Sequence, residues 1–271
     1  MPRLLCLGFG YSARTFAATL DRGWQVTGTS RHALGGTVRF DRNRILPPYF
    51  FAGVTHLLMS IPPDEAGDPA FDRHRDDIVA LTNLQWLGYL STTGVYGNRD
   101  GGWVNERSDL RPTSARAERR CDAEEQWQGL GAHIFRLAGI YGPGRSSFDA
   151  LRAGTARRLD RPGHVFSRIH VDDLTAVLHA SMARPRPGAV YNVCDDEPAA
   201  SAEVIAYAAE LLGMPPPPLM PFDPATLSPM AQSFWADNKR VSNALIRKEL
   251  GVTLRYPDYR AGLAAILAAG G

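Results

Sequence analysis

Lysine is almost missing from this chain: of 30 basic residues only Lys239 and Lys248 are lysines, and the rest are arginines. Chemistry that needs an amine able to lose its proton is confined to those two places. Cysteine is scarce too. Cys6, Cys121 and Cys194 stand far apart with no CxxC spacing, which excludes a disulfide framework and a thiolate zinc site. No apolar run approaches the roughly 18 residues of a membrane-spanning helix. The short apolar stretch within residues 1–10 runs into glycines instead of a cleavage site, so the expected location is the cytoplasm. An excess of one charge is also absent. The balance of 30 Lys plus Arg against 28 Asp plus Glu argues against a nucleic-acid binder held by electrostatics.

What the 271 residues do contain is 44% hydrophobic and 21% charged side chains, with apolar segments recurring throughout, which excludes wholesale disorder. Short apolar runs alternate with amphipathic stretches, the signature of βαβ units and a parallel sheet. The pattern predicts strands over residues 3–7, 24–29, 37–40, 55–60, 86–91, 132–137 and 189–193. It predicts helices over 11–22, 72–81, 112–127 and 171–182, with Pro112 in a first turn, where proline is tolerated. Beyond residue 193 the texture changes. Pro198, the prolines at 215–218, Pro221, Pro224 and Pro229 mark an irregular connection between helices at 201–212 and 240–250. The proline run reads as a stiff connector in preference to a polyproline ligand for a partner.

Straight after the first strand, Leu4-Leu5-Cys6-Leu7-Gly8-Phe9-Gly10-Tyr11-Ser12-Ala13 sets G-x-G-x-x-A at a helix start. Gly8 makes a tight turn possible, Gly10 lets main-chain N–H groups approach a pyrophosphate, and Ala13 lets the helix pack closely on the strand. The helix dipole favours the anion. Gly8, Phe9, Gly10, Tyr11 and Ser12 are therefore the expected pyrophosphate contacts. About 20 residues on, where such a site reads the adenosine ribose, stands Gly28-Thr29-Ser30-Arg31. No carboxylate is available there to take two ribose hydroxyls. Ser30 and Arg31 instead offer a hydroxyl and a guanidinium suited to a 2′-phosphate, so NADP is preferred over NAD. Asp41, after the third strand, either meets the adenine amino group or closes a turn.

Four later segments, in order, resemble the extended and atypical short-chain dehydrogenase/reductases of the NAD-dependent epimerase/dehydratase family. Leu90-Ser91-Thr92-Thr93-Gly94-Val95-Tyr96-Gly97 is similar to that family's SS-x-x-VYG motif. Arg136-Leu137-Ala138-Gly139-Ile140-Tyr141-Gly142-Pro143-Gly144 resembles its R-x-x-x-x-YGPG stretch. Arg168-Ile169-His170-Val171-Asp172-Asp173-Leu174 and Tyr191-Asn192-Val193 resemble FIHVDDLA and YNVG. The resemblance implies an α/β fold, a Rossmann-type doubly wound parallel sheet with a small C-terminal substrate cap. Residues 1–145, completed by 170–193, would form the dinucleotide-binding domain, and 146–169 with 194–271 the cap. The nicotinamide would lie over the carboxyl ends of strands four to six. Ser60, Ile61 and Pro62 would line the dinucleotide, Ser91, Thr92 and Thr93 would flank the nicotinamide, and Leu137, Gly139 and Tyr141 would close over it. The hydroxyls at 91–93 could instead cap backbone groups at the strand end. The implied partner is a small-molecule substrate, with a homodimer through helices around 72–83 and 112–127.

One departure bears on the reaction. The family's proton transfer uses a tyrosine and a lysine spaced Y-x-x-x-K, and none of the nine tyrosines here has a lysine four residues later. Aligning the family's trailing glutamate with Glu124 puts Arg120 at the lysine position and Arg116 at the tyrosine position. An arginine, with a pKa above about 12, donates no proton near neutrality. Two accounts follow. Either the chain is an oxidoreductase or isomerase with relocated groups, or it binds NADP(H) without turnover as a sensor or interaction module. In the first account Tyr96 is the acid (Glu106 a second candidate), Thr93 positions substrate, and Arg116 and Arg120 hold an anionic substrate or the coenzyme. No metal is expected: the spacing of His170, Asp172 and Asp173 suits a bracketed loop before a helix. Arg152, Arg157, Arg158 and Arg161 read as a solvated surface.

Overall fold

Leu4, Leu5, Cys6 and Leu7 have no exposed surface, and the strand they form, β1 (Arg3–Leu7), lies inside a seven-stranded parallel sheet. A strand covered on both faces reads as a continuous apolar run, which is why this one was visible in sequence. The computed structural model describes residues 1–33 and 35–270. The remaining strands are β2 (Gln25–Ser30), β3 (Val38–Arg39), β4 (His56–Met59), β5 (Trp86–Thr92), β6 (His133–Leu137) and β7 (Val190–Val193). Their order is β7-β6-β5-β4-β1-β2-β3. The chain runs outward from β1 through β2 to β3, then returns to β4 on the other side of β1. The carboxyl ends of β1 and β4 are thus the topological switch point, where open α/β sheets hold their ligands.

Helices α1 (Tyr11–Ala18), α2 (Pro69–Val79), α3 (Ala115–Gly129) and α4 (Val171–Ala183) accompany the sheet. Leu7, Phe40, Leu57, Met59, Ile78, Tyr89 and Trp127 form one continuous buried cluster. Several ends differ from the sequence expectation for identifiable reasons. Helix α1 stops at Ala18, not residue 22, because Thr19 donates its hydroxyl to Phe16 O at 2.6 Å and Asp21 turns back to accept from Gly23 N. Helix α2 starts earlier than residue 72, since Asp68 caps it by accepting from Ala70 N and Phe71 N. Helix α3 starts later than Pro112. Residues 111–113 are held outside it, with Arg111 O packed on Gly97 and the Thr113 hydroxyl donated to Asp237. The expected helix at 240–250 keeps only Ala244–Leu250, because Arg240–Val241 pairs as a short strand with Trp103–Val104.

The chain forms two compact units, one of residues 1–95, 115–136 and 175–191, the other of 96–114, 137–174 and 192 onward. The division falls differently from a boundary at 145: segments 96–114 and 137–145 go with the second unit. Within that unit Gly139–Tyr141 pairs in parallel with Arg168–His170, and Leu219–Pro221 with Arg158–Asp160. Its core gathers Phe148, Leu151, Val204, Ala208, Tyr259 and Leu263. The proline run feeds the strand at 219 and is anchored where Arg158 donates to Pro217 O at 3.1 Å. Of the arginines expected on a solvated face, Arg152 and Arg157 are exposed, whereas Arg158 and Arg161 are half-buried and engaged. Arg157 donates to Thr226, Arg158 also to Ala202 O, and Arg161 to Trp235 O while lying over the Phe222 ring. Among the described residues no helix is long and apolar enough to cross a membrane.

Candidate functional site

The loop after β1 is built around a backbone that only glycine adopts at low cost. Gly8 has φ +94°, and a Cβ there would lie 2.9 Å from Ile61 N and 3.0 Å from Ser60 C. Its amide donates to Thr29 Oγ1 at 2.9 Å, Phe9 N donates to Thr29 O at 2.7 Å, and Ser60 N to Leu7 O at 2.9 Å. The ends of β1, β2 and β4 are therefore stitched together at the switch point. Gly10 differs: it is extended, it caps α1 without a side-chain bond, and a Cβ there would meet no atom within 4 Å. Ser12 and Ala13 are buried beneath it. The first-turn amides of α1 thus stand at an uncrowded approach, the arrangement that suits a phosphate.

At the end of β2 the Ser30 hydroxyl lies 2.6 Å from Thr37 Oγ1. Arg31 is exposed and makes no ion pair among the described residues. Asp41 stands in a turn. Its carboxylate accepts from Asn43 N at 3.0 Å and pairs with Arg39 at 3.5 Å.

The end of β5 departs from expectation at Ser91. Its hydroxyl does not face outward but donates to Glu124 on α3, whose carboxylate accepts from Arg136 Nε at 3.0 Å and Nη2 at 2.8 Å. Thr92 Oγ1 accepts from Gly94 N at 3.1 Å, capping the turn. That leaves Thr93, half-buried and with no hydrogen-bond partner for its hydroxyl among the described residues. Among the described residues Arg120 donates through Nη1 alone, to Tyr89 Oη at 2.9 Å and Leu90 O at 3.0 Å, and lies over the Tyr89 ring. One turn earlier on α3, partial burial and then the Arg120 charge lower the Arg116 pKa. Sequence reasoning used Glu124 only to align α3. Arg136, quoted above as the first residue of its motif, is a guanidinium in a strand buried along its whole length, which calls for a carboxylate partner.

The remaining assignments fall in the second unit. Tyr96 has no exposed surface, and its hydroxyl donates to Asn192 Oδ1 at 2.7 Å. Glu106 in turn accepts from Asn192 N at 2.9 Å. Tyr96 and Glu106, the two candidate proton donors, thus both brace Asn192. Leu137 is buried, and Gly139 and Tyr141 lie on the strand paired with Arg168–His170. Tyr141 packs on Gly262, where a Cβ would lie 2.0 Å from its hydroxyl, and donates to Asp258 O at 3.3 Å. Burial first and Asp195 second raise its pKa. The His170–Asp173 segment is a bracket: His170 Nδ1 accepts from Asp172 N, and Asp173 accepts from Arg255 N and Tyr256 N. No cluster of three potential metal ligands occurs among the described residues.

No protein-family model matches the chain. A functionally unknown conserved protein from Silicibacter pomeroyi, of known structure, is 51% identical with a TM-score of 0.92, and 99% of each chain is covered. Protein YeeZ of Escherichia coli is 27% identical over 286 aligned positions, 95% of this chain and 97% of that one. A 3-diazoavenalumate denitrifying reductase from Streptomyces is 31% identical over 145 positions, 49% of this chain and 46% of that one. More distant in sequence, dTDP-glucose 4,6-dehydratase from Bacillus anthracis was solved with NAD (14% identity, TM-score 0.76, 99% and 96% covered). Human epimerase family protein SDR39U1 was solved with NADPH (15% identity, TM-score 0.74, 99% of both covered). The chain belongs to the same family as the Silicibacter pomeroyi protein, and its fold is that of the NAD-dependent epimerase/dehydratases, the extended short-chain dehydrogenase/reductases.

Proposed function

We propose that this protein binds NADP(H) at the Gly8–Gly10 loop and moves hydride to or from a small carbonyl or sugar-like substrate. The observation that carries the reading is the contrast between the two glycines at the switch point. Gly8 is locked against Ile61, while Gly10 opens the amide end of α1 to an anion. Arg31, free of an ion pair among the described residues and with no carboxylate beside it on β2, supports NADP over NAD. Thr93 supplies the unengaged hydroxyl that would position a substrate oxygen. Arg120, bonded through Nη1 alone among the described residues, keeps Nη2 and Nε for an anionic group, with Arg116 one turn away. With Tyr96 buried and both Tyr96 and Glu106 engaged at Asn192, the proton would come from solvent. Hydride transfer is also the chemistry suggested by the partial likeness to a protein named as a denitrifying reductase.

A second reading, an NADP(H)-binding module without turnover, is favoured by the engaged hydroxyls of Tyr96 and Tyr141. Calorimetry with NADPH and NADH tests the shared part. Arg31→Ser is expected to weaken NADPH about tenfold, one charge-assisted contact, and to leave NADH unchanged. Stereospecifically deuterated NADPH, incubated with aldehydes, ketones and nucleotide sugars, separates the two readings by transfer of the label. A homodimer through α2 and α3 and a cytoplasmic location belong to the same proposal, the first read by analytical ultracentrifugation.

A further inference from the structure

Arg42 spends its guanidinium on the protein itself. Nε and Nη2 donate to the two oxygens of Asp64 at 2.7 and 2.8 Å, and Nη1 donates to Asp72 Oδ2 at 2.6 Å. Nη2 also donates to Gly67 O at 3.0 Å, and Arg73 Nε returns a bond to the Arg42 carbonyl at 2.7 Å. One side chain, 24% exposed, therefore fastens the turn after β3 to the loop after β4 and to the first turn of α2. β3 and β4 are not neighbours. β2 and β1 lie between them, so the two fastened loops leave strands roughly 14 Å apart at the usual strand spacing. Asp41 precedes Arg42 directly. Ile61 and Pro62 stand just before Asp64, with Ile61 against Gly8. The joined segments are thus two walls flanking the ends of β1 and β2, where Gly8, Gly10, Ser30 and Arg31 sit.

We infer that Arg42 is a positioning residue for the adenosine end of the coenzyme, setting the separation of the two walls that would hold it. The inference rests on the coenzyme reading above. Arginine suits the task because its planar fork meets one carboxylate with two donors and still has a third for another, which an ammonium point charge cannot do. Without it, Asp64 and Asp72 would present two uncompensated carboxylates beside a polyanionic ligand. The Asp64 carboxyl is already held below its ordinary range, first by its hydrogen bond to Arg42.

The test compares ligands with and without adenosine. Calorimetry measures NADPH and 2′,5′-ADP binding to the unaltered protein, Arg42→Lys and Asp72→Asn, and NMR follows reduced nicotinamide mononucleotide at millimolar concentration. Arg42→Lys is expected to weaken NADPH and 2′,5′-ADP about tenfold and to leave the mononucleotide within about twofold, with Asp72→Asn between. Equal loss for all three ligands, or no loss, overturns the inference. If Arg42→Lys lacks a cooperative thermal transition, Asp72→Asn, which removes one bond, carries the same comparison. Unaltered protein that binds neither NADPH nor 2′,5′-ADP overturns the coenzyme reading and this inference with it. Unaltered protein that binds both, with variants that bind equally well, overturns the inference alone.

Discussion

Glu124 and Arg136 keep only 4% and 7% of their side chains exposed, and each is satisfied by the other, with Ser91 completing the set. Two charges taken out of water gain little net stability, but removing one leaves the other stranded at high cost. Glu124→Gln is therefore expected to cost about 3 kcal/mol in urea denaturation, since Arg136 keeps its charge. Ser91→Ala should cost about 1 kcal/mol, one hydrogen bond, with coenzyme affinity unaltered. A loss of coenzyme affinity in Ser91→Ala would return that hydroxyl to the binding site. At this scale the sequence was legible for backbone roles and poorly legible for side chains. Gly8 announces itself because its positive φ and its contact with Ile61 leave no room for a side chain, and Gly10 is read from its place at the helix start. Ser91 and Tyr96 carry the right chemistry in the right motif, yet their partners lie 33 and 96 residues away, and spacing along the chain says nothing of such a meeting.

Helix α2 shows what one capping residue can join. Asp68 Oδ1 accepts from Ala70 N and Phe71 N, each at 3.0 Å, while Oδ2 accepts from Trp127 Nε1 on α3 at 3.0 Å. Burial raises its pKa, and the Trp127 bond acts against that rise. Asp68→Asn can retain Oδ1 as acceptor but turns an amide N–H toward Trp127. Asp68→Ala strands three donors. Chemical denaturation should show a loss of about 1 kcal/mol for asparagine and about 2–4 kcal/mol for alanine. If the two variants lose equal stability, the helix cap is not what Asp68 contributes. The Asp68-Pro69 pair carries the start signal, which the apolar spacing alone placed three residues late, at 72. Pro112 was a misleading one, because its neighbours are held by Gly97 and Asp237, which no local pattern reveals.

For the whole molecule, the buried titratable groups set a pH dependence whose sign can be worked out. Asp195 is 1% exposed, and burial pushes its pKa up to about 8 against the pull of Arg168 and of nearby main-chain amides. Between about 4 and 8 the folded chain keeps a proton that the unfolded chain has released, so stability falls as pH rises. His164, lowered to about 4 by burial, acts in the opposite direction below about 6.5, where the unfolded imidazole takes up a proton that the folded one does not. Above that point the aspartate acts without this opposition. A fall of about 2 kcal/mol is expected from pH 6.5 to 8, and Asp195→Asn should abolish it in urea midpoints. A flat profile in the unaltered protein would contradict this. The architecture itself was readable from alternating apolar runs and one glycine loop, whereas the extent of the second unit was not, since 96–114 and 137–145 join it through pairings with residues 168–170, 192 and 240–241. Because the polypeptide changes units after residues 95, 114, 136, 174 and 191, no single cut releases either half intact. Stopping translation at residue 95 would yield a sheet lacking β6 and β7. Transplanting the half that carries the Gly8 loop into another scaffold would mean splicing three pieces, and neither half could be exchanged between genes by one recombination event.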